Sequence, residues 1–128
     1  MSKYNLNDLS AAVVDSAIQV HRALGPGLLE SAYEACLVYE LRKHALSVQS
    51  QVGLPVVYDE VKLEVGYRID LLVENQIIVE LKAIAAIQPI HEAQLLSYLK
   101  LSNLKIGLLL NFNVKLMKDG IKRIVNNL

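Results

Sequence analysis

Two short stretches rich in β-branched and aromatic residues, Tyr67-Arg68-Ile69-Asp70-Leu71-Leu72-Val73 and Ile77-Ile78-Val79-Glu80-Leu81-Lys82-Ala83, flank the polar tripeptide Glu74-Asn75-Gln76. They constrain the fold more than any other feature. With a three-residue loop, Val73 opposes Ile77, Asp70 falls opposite Glu80, and Arg68 opposite Lys82. Successive strand side chains alternate between faces. One face then reads Tyr67, Ile69, Leu71, Val73, Ile77, Val79, Leu81 and Ala83, and the other collects Arg68, Asp70, Glu80 and Lys82. A two-residue loop would set the two acids on opposite faces and bury a charge among apolar groups, so the apolar pattern selects the register.

The rest of the chain is read outward from this hairpin. From Asn7 to Leu24, apolar residues recur at the spacing of a helix with one buried stripe, and Asn7 is placed to cap it. Gly25-Pro26-Gly27 stops that helix, and a second is expected from about Leu28 to His44. Val48 to Tyr58 and Val61 to Val73 read as two strands, which with Ile77 to Ala83 make an antiparallel meander of three. Pro89 marks the start of a helix through Leu101. Lys105 to Phe112 reads as a strand covered on both faces, and a last short strand falls in Ile121 to Val125. With 128 residues and 14.2 kDa, these elements fit one domain, 1–128.

Composition narrows the function classes. Apolar residues make up 53% and the mean hydropathy is +0.32, which excludes a disordered chain. No apolar run approaches the eighteen or so residues needed to span a bilayer, the single Cys36 offers no internal disulfide, and MSKYNLNDLS lacks a secretory signal's apolar core. A cytoplasmic protein without membrane attachment is the expectation. Thirteen bases balance thirteen acids, so no uniform positive field coats nucleic acid by charge alone. The charge is unevenly spread, however. Residues 1–82 carry seven bases and eleven acids, and residues 83–128 six bases and two acids. Either this is ordinary fluctuation, or late-chain lysines meet a polyanion whose reacting group lies at early-chain acids.

Two carboxylates directly opposed on a sheet repel unless a cation or proton relieves them. Hard divalent ions such as Mg²⁺ or Mn²⁺ take one or two carboxylates, with water and phosphate supplying the rest. Lys82, two residues beyond Glu80 on the same face, can hold or deprotonate a water beside such an ion. This combination suits metal-assisted phosphodiester hydrolysis. Acids and a lysine on one hairpin face also describe an ordinary solvated surface. Against that stand the apolar character of the surrounding chain and the helices on both sides in sequence, which favour a covered or cleft-like face.

Asp70, nine intervening residues and Glu80-Leu81-Lys82 resemble the D…(D/E)xK core of the PD-(D/E)xK nuclease superfamily, although Ile69 stands where the proline of that name would be. Leu24-Gly25-Pro26-Gly27-Leu28-Leu29-Glu30-Ser31-Ala32-Tyr33-Glu34 resembles the motif of the GxxExxY family, small proteins assigned to that superfamily, with Gly27, Glu30 and Tyr33 at the named positions. His91 to Lys100 is similar to that family's helix after the third strand, so the resemblance spans about residues 7 to 112. It implies an α/β (α+β) fold with a restriction-endonuclease-like core: N-terminal helices, a mixed sheet, then a helix and a strand. It also implies roles. Asp70 and Glu80 would ligate the metal with the main-chain carbonyl of Leu81, and Lys82 would orient or activate water. Glu30 would join from the preceding helix, with Glu34 one turn later able to share that task or to be a plain surface acid.

His91, Gln94 and Tyr98 project from one side of their helix. Gln94 is read either as fixing a water or phosphate oxygen or as a helix–sheet hydrogen bond. His91 is the weaker ligand candidate, since hard metals prefer oxygen, and a capping role suits it better. His21 is weaker still, and Tyr33 and Tyr98 pack first and donate a hydroxyl second. Gly25-Pro26-Gly27 lacks the GK[ST] of a phosphate loop, and one cysteine with three scattered histidines gives no zinc spacing. Three readings follow. The leading one is a Mg²⁺- or Mn²⁺-dependent nuclease acting on nucleic acid, with DNA the expected substrate. The others are a non-catalytic nuclease-fold module that binds nucleic acid or a protein, and a homodimeric structural subunit.

Overall fold

A computed structural model of the protein describes residues 4–128. Helix α1 runs Leu6–Leu24 and α2 Glu30–Lys43. Asn5, not Asn7, caps α1, its side chain accepting from the backbone N–H of Asn7 and Asp8. Asn7 lies inside the helix, and its Oδ1 accepts from Arg123. Strands β1 (Val48–Gly53), β2 (Val56–Tyr58), β3 (Val61–Leu63), β4 (Arg68–Val73) and β5 (Ile77–Lys82) follow. Helix α3 (Pro89–Ser102), β6 (Ile106–Asn111), a 3₁₀ turn (Met117–Gly120) and β7 (Ile121–Val125) complete the order.

The two long strands expected at 48–58 and 61–73 are each divided. Pro55, which offers no N–H to a ladder, follows Leu54 at one break, and Gly66 with φ +85° bends the chain at the other. The excised middle forms a separate two-stranded arm, β2 against β3. Its Val57, Tyr58, Val61 and Leu63 are exposed, Tyr58 at 78%.

The main sheet has the order β1-β4-β5-β6-β7, with β5 and β6 parallel and every other pair antiparallel. Helices α1 and α2 cover one face: Val13, Ala17, Leu37 and Leu41 pack with Leu71, Val79, Leu81 and Leu108. Helix α3 covers the other, Leu95, Tyr98 and Leu99 packing with Ile78 and Leu109. Every residue of β6 is buried, as a strand between helices on both faces requires. Close approach of α3 depends on Gly107, where a Cβ would sit 2.8 Å from Leu95. Mixed helices and sheet in this order constitute the α+β, restriction-endonuclease-like fold.

Candidate metal centre

The turn between β4 and β5 brings the acids together. Glu74 and Asn75 adopt left-handed φ of 52° and 54°, and the Gln76 N–H bonds the Val73 carbonyl at 3.0 Å. Val73 then faces Ile77, Leu72 faces Ile78, and Leu71 faces Val79. Beyond that pair the ladder stops, and side chains replace it. The Asp70 N–H donates to Glu80 Oε2 at 2.7 Å, and the Leu81 N–H donates to Asp70 Oδ2 at 2.9 Å. Each carboxylate thus holds the other's strand with one oxygen, and among the described residues no further protein donor reaches the second oxygen of either.

This opening corrects the expected faces. Ile69 does not share a side with Leu71 but packs under α3, and Tyr67, 45% exposed, tilts against Tyr98 with ring centres 6.1 Å apart. Alternation fails at Asp70 because its N–H turns to a carboxylate instead of a ladder carbonyl. The acid-bearing face is not uniformly polar either, since Leu72 and Ile78 belong to the core beneath α3. Strand β1 is irregular at the same level. Gln51 lies between Ser50 and Val52, the partners of Leu71 and Ile69, and has φ +55°. Its Nε2 donates to Glu34 Oε1 at 3.0 Å.

The electrostatics follow from burial and like charge. Glu80 is only 5% exposed. Desolvation and then the Asp70 charge push its pKa up to about 8, opposed by the Asp70 N–H and by Lys82. Glu34, half-buried on α2, is raised by desolvation and by Asp70, with a smaller push from Glu30. Tyr98 is raised by its own desolvation and then by Glu80, Tyr67 and Asp70. Asp70, Glu80, Lys82, Glu34 and Tyr98 therefore share one electrostatic neighbourhood. Lys82 is half-buried and enters no ion pair among the described residues, although its charge reaches Glu80.

The donor set fits a hard divalent cation: two carboxylates, each with one oxygen aligned by a backbone N–H and one left over, in a place where burial and like charge together disfavour the ionised Glu80. Among the described residues no three His, Cys, Asp or Glu side chains converge into a cage. A two-carboxylate site completed by water and phosphate is the form these residues offer.

The remaining candidates lie farther out. Glu30 is exposed in the first turn of α2, and Arg68, paired with Gly53, and Gln94 on α3 are exposed as well. His91 Nδ1 accepts the Gln88 N–H at 2.9 Å and so closes the α3 N-terminus. Tyr33 is fully buried, stacked on Phe112 at 4.5 Å. Its hydroxyl donates to the Gly25 carbonyl at 2.6 Å and accepts from the Leu28 N–H at 3.1 Å. It clasps the loop in which Gly27 takes φ +98°, a conformation that suits glycine.

Sequence reasoning passed over Gln51 and Asn111. Asn111 is buried at the end of β6, its Oδ1 accepting from the Ile84 and Asn113 N–H and its Nδ2 donating to the Ile84 carbonyl. With the Phe112 N–H on the Lys82 carbonyl at 2.9 Å, it fixes the chain leaving Lys82. An amide inside the apolar run 106–112 was its available signal; Gln51 gave none without the β1–β4 register.

No helix among the described residues is long and apolar enough to cross a membrane. No curated protein and no solved structure matches the chain. A family model, the PD-(D/E)XK nuclease superfamily, matches residues 7–124. Proteins of this superfamily are nucleases that generally use divalent metals, and the matched span takes in α2, the Asp70–Glu80 fork, Lys82 and α3. On that match, joined to the mixed sheet and the opened hairpin, the chain belongs to the PD-(D/E)XK nuclease superfamily.

Proposed function

We propose that the protein is a single-domain nuclease, of the GxxExxY branch of its superfamily, that hydrolyses DNA phosphodiesters at the Asp70–Glu80 fork with Mg²⁺ or Mn²⁺. The observation that carries this reading is the pair of reciprocal bonds, Asp70 N–H to Glu80 and Leu81 N–H to Asp70, which replaces the ladder, engages one oxygen of each carboxylate and keeps the two like charges close enough to raise the Glu80 pKa. Asp70 and Glu80 would hold the ion, with the Leu81 carbonyl and a helix acid beside them. The ionisation of Glu34 feels Asp70, with a smaller push from Glu30 one turn away.

A bound divalent ion supplies Lewis-acid charge and makes a nearby water more acidic. Lys82 orients the attacking water and balances charge developing on the phosphoryl oxygens. Gln94 and Tyr98 on α3 would flank the entering strand, and Arg68 and His91 the mouth of the site. As water adds to phosphorus it releases a proton to solvent, the P–O bond to the leaving sugar breaks, and that sugar oxygen takes a proton from solvent.

The test is isothermal titration of Mn²⁺ into the wild type and Asp70→Asn, alongside digestion of linear and single-stranded DNA with and without chelator. Binding in the wild type alone, with chelator-sensitive cleavage, is the expected result. Equal heats in both proteins and no cleavage would sink the proposal.

A further inference from the structure

A cavity of ≈ 360 Å³ lies behind the Gly25-Pro26-Gly27 turn, between the end of α1 and the segment following β6. Arg22, Lys115 and His21 line it with Pro26, Leu116 and Met117, and none of its lining residues is acidic. Of the other cavities, one holds Asp8 and Asp15 and another Glu92 and Asp119. A further one is lined by Arg42 and Lys43 without an acid, but there Lys43 is paired with Glu40 and Arg42 donates to the Val48 carbonyl. Arg22 and Lys115 form neither an ion pair nor a side-chain hydrogen bond among the described residues, so two cations face one concavity without a counter-charge. His21 is buried and held by the Val114 carbonyl at 2.7 Å, which makes it a fixed floor.

The cavity is joined to the candidate centre by short connections. Val114 and Lys115 follow Asn111 and Phe112, and the Phe112 N–H bonds the Lys82 carbonyl. The Phe112 ring lies 6.4 Å from His21 and stacks on Tyr33. Tyr33 in turn bonds the carbonyl of Gly25, a wall of the cavity. The cavity therefore opens at the same end of the sheet from which Lys82 emerges. Unpaired cations recognise phosphate oxygens, while proline and aliphatic walls accept the apolar side of a sugar or base. The volume falls within the range of small-ligand sites.

We infer that this cavity is a phosphate subsite, in which Arg22 and Lys115 grip a phosphate of the DNA strand near the bond hydrolysed at Asp70 and Glu80. The inference rests on the nuclease reading for its placement, and its test is independent of turnover. Anisotropy of a 3′-labelled single-stranded oligonucleotide, with and without a 5′-phosphate, is measured in chelator across a salt series. The proteins compared are the wild type, Arg22→Gln/Lys115→Gln and Lys43→Gln/Lys62→Gln, the last removing equal charge elsewhere. The subsite predicts about tenfold weaker binding in the first double variant and a salt slope lower by about 0.7, the single-strand value for one phosphate contact. Mn²⁺ binding and circular dichroism should be unchanged, and the second double variant should behave as wild type. A loss confined to the phosphorylated probe identifies a terminal phosphate, and an equal loss on both probes an internal one. Equal affinity in the first double variant and the wild type overturns the inference, as does equal weakening in both double variants. If the first variant alone loses DNA while Mn²⁺ never binds the wild type, the subsite stands and the nuclease reading fails.

Discussion

Toward its turn the β4–β5 hairpin is an ordinary antiparallel ladder, with Leu71, Val73, Ile77 and Val79 fully buried against α1 and α2. One residue farther, at Asp70 and Glu80, the same two strands are held by carboxylates that take the place of carbonyls. The closed half is stabilised by packing. The open half concentrates two acids at a point that burial makes unfavourable for charge. The contrast indicates how a regular sheet is opened: the ladder gives way where two carboxylates bond the facing backbone, and neighbouring strands hold the gap. β1 kinks at Gln51, while β5 keeps its parallel pairing with β6 through Lys82 and Asn111.

If the open half is the chemical one, the largest effect is on turnover. Lys82→Ala should lower the DNA cleavage rate by about a hundred- to ten-thousand-fold with Mn²⁺ binding retained, read from initial rates and calorimetry. Joint loss of rate and ion binding would mean that Lys82 holds the site's shape instead. In the closed half, Leu71→Ala should cost about 2–5 kcal/mol of stability in urea unfolding. A variant that unfolds like the wild type would show that the ladder half is not the anchor.

Charge sharpens the comparison further. The folded-state pKa of Glu80, about 8, lies above its ordinary 4.5, so the folded protein holds a proton that the unfolded chain releases. The stability tied to that proton is complete below about pH 4.5 and is lost as pH rises through about 8. The metal-free protein should melt several degrees lower at pH 8 than at pH 5. Glu80→Gln keeps an acceptor for the Asp70 N–H and removes the charge, so it should flatten that slope and melt above the wild type at pH 8. Parallel pH profiles for the two proteins would contradict the buried-charge account, and proton release on Mn²⁺ addition would support it.

The smallest expected change lies in the loop. Tyr33→Phe removes the hydroxyl that bonds Gly25 and Leu28 and should cost about 1–2 kcal/mol. The hairpin's metal affinity should shift little, which thermal melts and Mn²⁺ titration together can check.

Much of this was legible in residue order. The period change at Val48, the breaker at Gly25-Pro26-Gly27 and the proline at 89 mark elements the structure contains, and the register of β4 with β5 follows from apolar alternation around 74–76. Less legible were the breaks at Leu54-Pro55 and Gly66, which divide runs that keep strand-like residues throughout and project β2 and β3 as an arm. The swing of Ile69 and Tyr67 toward α3 was hidden for a related reason: alternation rules assume a continuous ladder.

By itself, the amino-acid order determined the hairpin and the meeting of its two acids, because strand periodicity and the penalty for burying charge act between residues a few positions apart. Only the tertiary structure decided that the ladder would open there, that Gln51 and Glu34 would close one side, and that Asn111 would pin the exit from Lys82. Those arrangements join segments up to tens of residues apart, and their free energy comes from contacts that exist only once α2, β1 and β6 have packed against the hairpin.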